Sequence, residues 1–429
     1  MSRLTRWPGT VRSPGLRRQS LAMMLVLLCT GCALVPPAPA PAGTAPGGSV
    51  TDACAHWYLR LDDAIDHAGV RDAAASPVPG HRFLRVDRYH ASLRDHLPDR
   101  ADAPAAAPVR AALMARLLAL DLQARGHEIA NLPQASRTAL AELAQRPATP
   151  PELLHHTRTC GHALVQWALA RPARAHASLQ ALAVAPDYVL AYRVLGLYPV
   201  TRIPFLYGVR RFEDATRDVF RQERPPDAGA PRQLLVPPSR PQQVTREQLR
   251  AMLQPATSDP LGIPAPTPAQ QEILFAHFAP SFMLGIRSDD DRAGALHWPM
   301  QPPNGAPVPD TTRPVVYRQL AWTRHGKTSL LQLVYTIWFG ARTPTSWPVD
   351  LLAGRLDGLV WRVTLSPDGV PLMYDSIHPC GCYHQFFPPP WVRPRPAPDP
   401  HAEWAFNPAP APRTAPGHYL VLGVAPVTH

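Results

Sequence analysis

The chain has 429 residues, room for two domains and a sizeable core. Its formal charge is +11, but five of those charges are arginines in the first 20 residues, leaving about +6 for the rest. Lys327 is the single lysine, and no basic run is interleaved with aromatic residues, so a nucleic-acid groove is excluded.

Residues 1–20 carry Arg3, Arg6, Arg12, Arg17 and Arg18 and no acid. Leu21 to Leu28 is an apolar run, followed by Leu28-Cys29-Thr30-Gly31-Cys32 and a Pro/Ala/Gly tract. A basic segment, a short apolar run and small residues before a cleavage point define a secretory signal. The run is shorter than the roughly 20 apolar residues that span a bilayer.

The end of this signal resembles the lipobox of bacterial lipoproteins, with Cys29 where that family usually has leucine. The resemblance covers only the leading segment. It implies a signal peptide over 1–31, cleavage after Gly31 and lipidation of the Cys32 sulfur. Ala33 after that cysteine, in place of the family's inner-membrane aspartate, implies the outer membrane and a periplasm-facing body. Arg17-Arg18 also faintly resembles a twin-arginine export signal. The implied partner is the membrane, through a lipid anchor. Nothing indicates nucleic acid, and no protein or cell-wall partner is identifiable.

Residues 32–50 read as an extended Pro/Ala/Gly tether. Residues 51–221 read as a mainly helical domain. Ala53 to His67 places Trp57, Leu61, Ala64 and Ile65 at helical spacing, after the capping pair Thr51-Asp52. Val109 to Ala124 puts Leu113, Leu117 and Leu120 on one stripe, and Pro151 to Ala170 begins and ends at proline signals. Leu195 to Phe212 holds two prolines, two glycines and clustered aromatics. It reads as an irregular loop packing across both domains. In an oxidising compartment Cys54 and Cys160 are a natural disulfide pair, with two buried free thiols as the alternative.

A Pro-rich linker over 222–243 is the best boundary. Residues 244–429 read as an antiparallel β domain, so the fold class is α+β. Val315 to Thr323 and Ser329 to Phe339 form a hairpin around Gly326. Leu359 to Leu365 and Val370 to Ile377 form a second, around Ser366-Pro367-Asp368-Gly369. His418 to Val424 is a last strand, Pro388 to Pro416 a long loop, and Thr267 to Ala279 a covering helix.

The densest chemistry is His378-Pro379-Cys380-Gly381-Cys382-Tyr383-His384. Thiolate and imidazole are the usual ligands of zinc. As a continuing strand the two histidines would lie about 20 Å apart, at roughly 3.3 Å per residue, too far for one ion. A shared site therefore requires a turn, which Gly381 permits. Further ligands are Asp375, His297, His325 and His418. The competing readings are a Cys380–Cys382 disulfide, a nucleophilic cysteine paired with His378 or His384, and plain packing. A disulfide between these near neighbours would close a small, strained, reducible ring.

Asp289-Asp290-Asp291 lacks the alternation and closing Glu of a calcium loop and reads as a solvated acidic turn. Asp350 and Asp357 read as turn caps, and Trp338, Trp347 and Trp361 as core rather than a binding groove. Function from sequence is therefore a membrane-anchored lipoprotein with a metal-binding Cys/His site for zinc. The alternatives are a thiol-redox protein, a metal-assisted hydrolase, or a structural or interaction lipoprotein of the envelope.

Overall fold

The computed structural model describes residues 50–184, 190–222, 231–238, 244–298, 307–344, 353–396, 404–413 and 417–429. The signal peptide, Cys32, the tether, Trp347, Asp350 and much of the 222–243 linker lie outside these residues.

The helical part opens with α1 (Val50–Ala68) and the hairpin β1 (Ser76–Val78) and β2 (His81–Val86). It continues with α2 (Arg88–Ser92), α3 (Ala106–Asn131), α4 (Gln134–Ala144), α5 (Pro150–Leu169) and α6 (Pro172–Gln180). The three-and-four spacing of apolar residues explains the packing. Trp57, Leu61 and Ile65 of α1 meet Leu113 and Leu117 of α3 and Leu153 and Leu164 of α5 in one core. Gly161 sets how close α5 comes to α3. A Cβ there would meet Leu118 Cδ1 at 2.6 Å and Tyr58 Oη at 2.8 Å. A disulfide joins buried Cys54 and Cys160, with Cα atoms 5.0 Å apart.

The helical core also contains charge. Arg125 donates to Asp62 at 2.6 Å and to Glu128 at 3.2 Å, and its Nε lies 3.3 Å from Asp121. Arg85 donates to Glu128 at 2.6 Å and to Asp121 at 3.4 Å. All five residues are buried. Burial pushes the Asp121 carboxyl up to about 6 against the pull of both arginines.

Residues 195–212, expected as an irregular loop packing across both domains, are instead largely helical. The segment contains α7 (Leu190–Leu195) and the start of α8 (Tyr198–Arg221), which break at Gly196 and Leu197. Pro199 sits in the first turn, where no backbone donor is required. Pro204 lies inside α8 and removes a single donor without ending the helix. The later half of α8 packs on the body: Phe212 meets Tyr383 and Phe406, and Phe220 meets Phe387.

The C-terminal part carries an antiparallel five-stranded sheet. After β3 (Arg232–Leu235), β4 (Ser281–Gly285), β5 (Ala295–His297) and β6 (Val308–Asp310), its strands are β7 (Tyr317–His325), β8 (Thr328–Arg342), β9 (Gly354–Leu365), β10 (Pro371–Ile377) and β11 (Gln385–Phe387), in spatial order 11-10-9-8-7. Both expected hairpins are present. Strand β8 is paired on both sides, as its apolar run requires. The expected covering helix is Pro268–Phe278, held by a capping box between Thr267 and Gln270. Buried Tyr335 of β8 donates to its Phe275 carbonyl at 2.8 Å.

A smaller sheet departs from the expected arrangement. The strand Ser281–Gly285 is central, flanked antiparallel by Arg232–Leu235 and parallel by Val421–Val424. The last strand is therefore present, but it pairs in parallel and outside the main sheet. Arg232–Leu235 lies inside the segment read as a linker, yet pairs with the β part.

The two parts share a border. Leu261 and Ile263 pack into the helical core, and Trp322 of β7 touches both cores. Tyr89 donates to Ser329 at 3.0 Å, and Arg324 reaches the Ser92 carbonyl and Asp95.

Candidate functional site

Strand β10 delivers the Cys/His motif at its end, and β11 follows directly. The chain therefore has to reverse within His378–His384. Gly381 N–H donates to the His378 carbonyl at 2.8 Å, and His378 N–H to the Cys382 carbonyl at 3.1 Å. Gly381 supplies the required positive φ of 85°.

The turn sorts the four candidate ligands into three places. Cys380 and Cys382 are exposed free thiols at its tip, two positions apart. The neighbouring Cys380 thiol, reinforced by partial burial, raises the Cys382 thiol above its ordinary value, while Arg342 pulls the other way. His378 turns inward and is buried, its Nδ1 3.1 Å from Asp357 Oδ1. His384 lies against Asp375 at 3.0 Å, and Arg362 contacts both residues. The structure thus brings the two cysteines together and commits each histidine to a different carboxylate. Among the described residues, no three or more His, Cys, Asp or Glu side chains form a group that could hold a metal ion.

His378 is the outer end of a buried relay. Asp357 Oδ2 faces His429 Nδ1 at 2.9 Å, and His429 Nε2 faces Asp291 Oδ1 at 3.1 Å. A carboxylate stands at each nitrogen of His429, so both must carry hydrogen for both bonds to form. The ring also stacks on Phe339 at 3.9 Å. Asp291 is held in place by the backbone N–H groups of Val427, Arg287 and Ser288. Burial alone would raise the Asp357 carboxyl, but hydrogen bonds from His378 and His429 outweigh it and hold it well below the usual carboxylate range. Asp291 is lowered in the same way, with backbone donors opposing its burial.

His378 and His429 of this relay line a cavity of about 690 Å³. Its apolar lining comes from Phe212, Val219 and Phe220 of α8 with Leu359, Trp361 and Phe387 of the sheet. Arg287 and Arg342 add positive charge to the lining. Tyr383, next to Cys382, also lines it and carries the Arg342 guanidinium 5.3 Å above its ring. The exposed dithiol therefore stands beside a space that accepts an apolar group and favours an anionic one.

Asp357, expected to cap a turn, and Asp291, expected in a solvated acidic turn, instead have their carboxylates in the relay. His429 had no sequence signal, since its partners lie 72 and 138 positions away, whereas Arg362 faces Asp375 directly across the second hairpin. Comparison with protein-family models, with curated proteins and with solved structures finds no match to this chain.

Proposed function

We propose that this chain is a periplasm-facing lipoprotein, anchored through Cys32, whose Cys380–Cys382 pair exchanges disulfides with substrates seated in the adjoining cavity. The observation that carries the reading is the paired, exposed placement of the two thiols, with both histidines engaged elsewhere. That arrangement favours thiol chemistry over a four-ligand zinc site. The buried Cys54–Cys160 disulfide fits an oxidising compartment, where an exposed dithiol is poised to oxidise.

The exchange balances as follows. In the oxidised form a substrate thiolate attacks one sulfur of the Cys380–Cys382 bond and forms a mixed disulfide. The second substrate thiol, as thiolate, displaces the protein sulfur. Substrate leaves as a disulfide, and Cys380 and Cys382 hold the two electrons and two protons removed from it. The small ring closed by these near neighbours makes the oxidised form strained and readily reduced.

The test is a redox titration of purified protein in graded dithiol buffers, read by mass after thiol alkylation, with metal content measured on the same sample. The expected result is a reversible two-thiol transition more oxidising than about −300 mV, the usual ceiling for structural disulfides. Cys380→Ser should abolish it and leave Cys54–Cys160 intact. Stoichiometric zinc that is lost in Cys380→Ser, with no disulfide formed, would overturn the redox reading and restore the metal one. The anchor is tested separately: Cys32→Ser should leave the outer-membrane fraction.

A further inference from the structure

Helix α8 has two unlike halves. Its later half carries Phe212, Phe220 and Arg217 onto Tyr383, Phe387 and Phe406. Its earlier half, with α7 before it, leaves large apolar side chains in solvent. Leu195 is 78% exposed, Ile203 72%, Tyr207 70%, Val200 68% and Phe205 63%. Isolated exposed apolar residues need no explanation, but a contiguous set of this size marks a contact surface.

The charge of the segment identifies the contact. Between residues 190 and 212 stand Arg193, Arg202, Arg210 and Arg211, and no aspartate or glutamate. Acids return only at Glu213 and Asp214, where the helix joins the body. The apolar residues are not confined to a narrow stripe. At 100° per residue, Ile203 and Tyr207 point away from Phe205. A helix lying in the headgroup region buries one side by about 5–10 Å, and the side of Val200, Ile203 and Tyr207 is flanked by Arg210 and Arg211. No helix of the described residues is long and apolar enough to cross a membrane.

We infer that residues 191–211 form an interfacial docking element that lies in the headgroup region of an anionic membrane. Val200, Ile203 and Tyr207 would enter the acyl boundary while the flanking arginines meet the phosphates. This is independent of the thiol chemistry and of the lipid on Cys32.

The test uses the full chain carrying Cys32→Ser, so that no acyl anchor contributes. Amide hydrogen exchange is followed over 198–211, with vesicles of phosphatidylglycerol and phosphatidylethanolamine or of phosphatidylcholine alone. The expected result is exchange slowed by about tenfold or more on the anionic vesicles only. The triple variant Ile203→Glu, Phe205→Glu, Tyr207→Glu should abolish that protection and leave exchange in 106–169 unchanged. These three side chains are exposed, so the body stays folded. Cys380→Ser should keep the protection. Equal exchange with and without anionic vesicles would overturn the proposal. So would protection that rises with protein concentration in their absence, which would assign the surface to a second copy.

Discussion

Asp357→Asn tests whether the relay beside the cavity is held together by charge. The Asp357 side chain is 13% exposed and meets three donors: His378 Nδ1 at 3.1 Å, His429 Nδ1 at 2.9 Å and Gly358 N–H at 2.8 Å. Asparagine keeps one acceptor oxygen and points an amide N–H at one of the two imidazoles. Charge-assisted hydrogen bonds contribute about 1.5–3 kcal/mol each, so losing one and weakening the other gives about 3 kcal/mol at neutral pH. The pH dependence fixes the cause. The folded-state value of Asp357 lies well below its unfolded value of about 4. Its contribution is therefore fully present above that value and is lost as pH falls toward the folded one. Urea denaturation followed by tryptophan fluorescence should give the same wild-type-to-variant gap at pH 7 and pH 5, and a narrower one at pH 3. A gap below about 0.5 kcal/mol at pH 7, within the range of ordinary surface changes, would refute the reasoning. A gap unchanged at pH 3 would attribute the loss to packing.

Two further predictions concern the helical part. Replacing Cys54 and Cys160 together with alanine opens a link across a sequence separation of 106, and chain entropy then sets a loss of about 4–5 kcal/mol; the measurement is the urea midpoint of oxidised wild type against the variant, and a loss under about 1 kcal/mol would contradict it. Arg125→Met should destabilise by about 3–5 kcal/mol, because Asp62, Asp121 and Glu128 lose a shared buried cation. Adding Asp121→Asn should return part of that loss, and strictly additive effects in the double-mutant cycle would show that the two residues do not interact.

Much of the architecture was legible because it depends on local period. Leucines three and four apart marked α3, two apolar runs around Gly326 marked the β7–β8 hairpin, and the stretch from Thr267 to Ala279 marked the covering helix. Residues 195–212 were misread because prolines and glycines outweighed the register. Pro199 falls where a helix needs no donor, so it opened α8 and did not prevent it. The parallel pairing of Val421–Val424 could not be read, since a strand's own residues do not name its neighbour. At the site, ligand density drew attention to the turn over 378–384, and Gly381 adopts the positive φ that the reversal demands. The fate of His378 and His384 was hidden because it depends on Asp357 and Asp375 on adjacent strands.

The buried charges around Arg125 also constrain which sequences this fold can occupy. Arg85 and Arg125 face Asp62, Asp121 and Glu128, and each cation serves more than one carboxylate, with Asp62 also paired to Arg82. Losing either arginine leaves three carboxylates around one buried cation, so a path away from the set that begins at an arginine passes through a destabilised protein. In natural variants the two arginines should be inherited together or exchanged together with carboxylates they serve. A chain that has lost one of them should carry a compensating change on α1, β2 or α3, the elements that supply the set. The cluster would then serve as a lineage marker, legible in any related sequence before its structure is known.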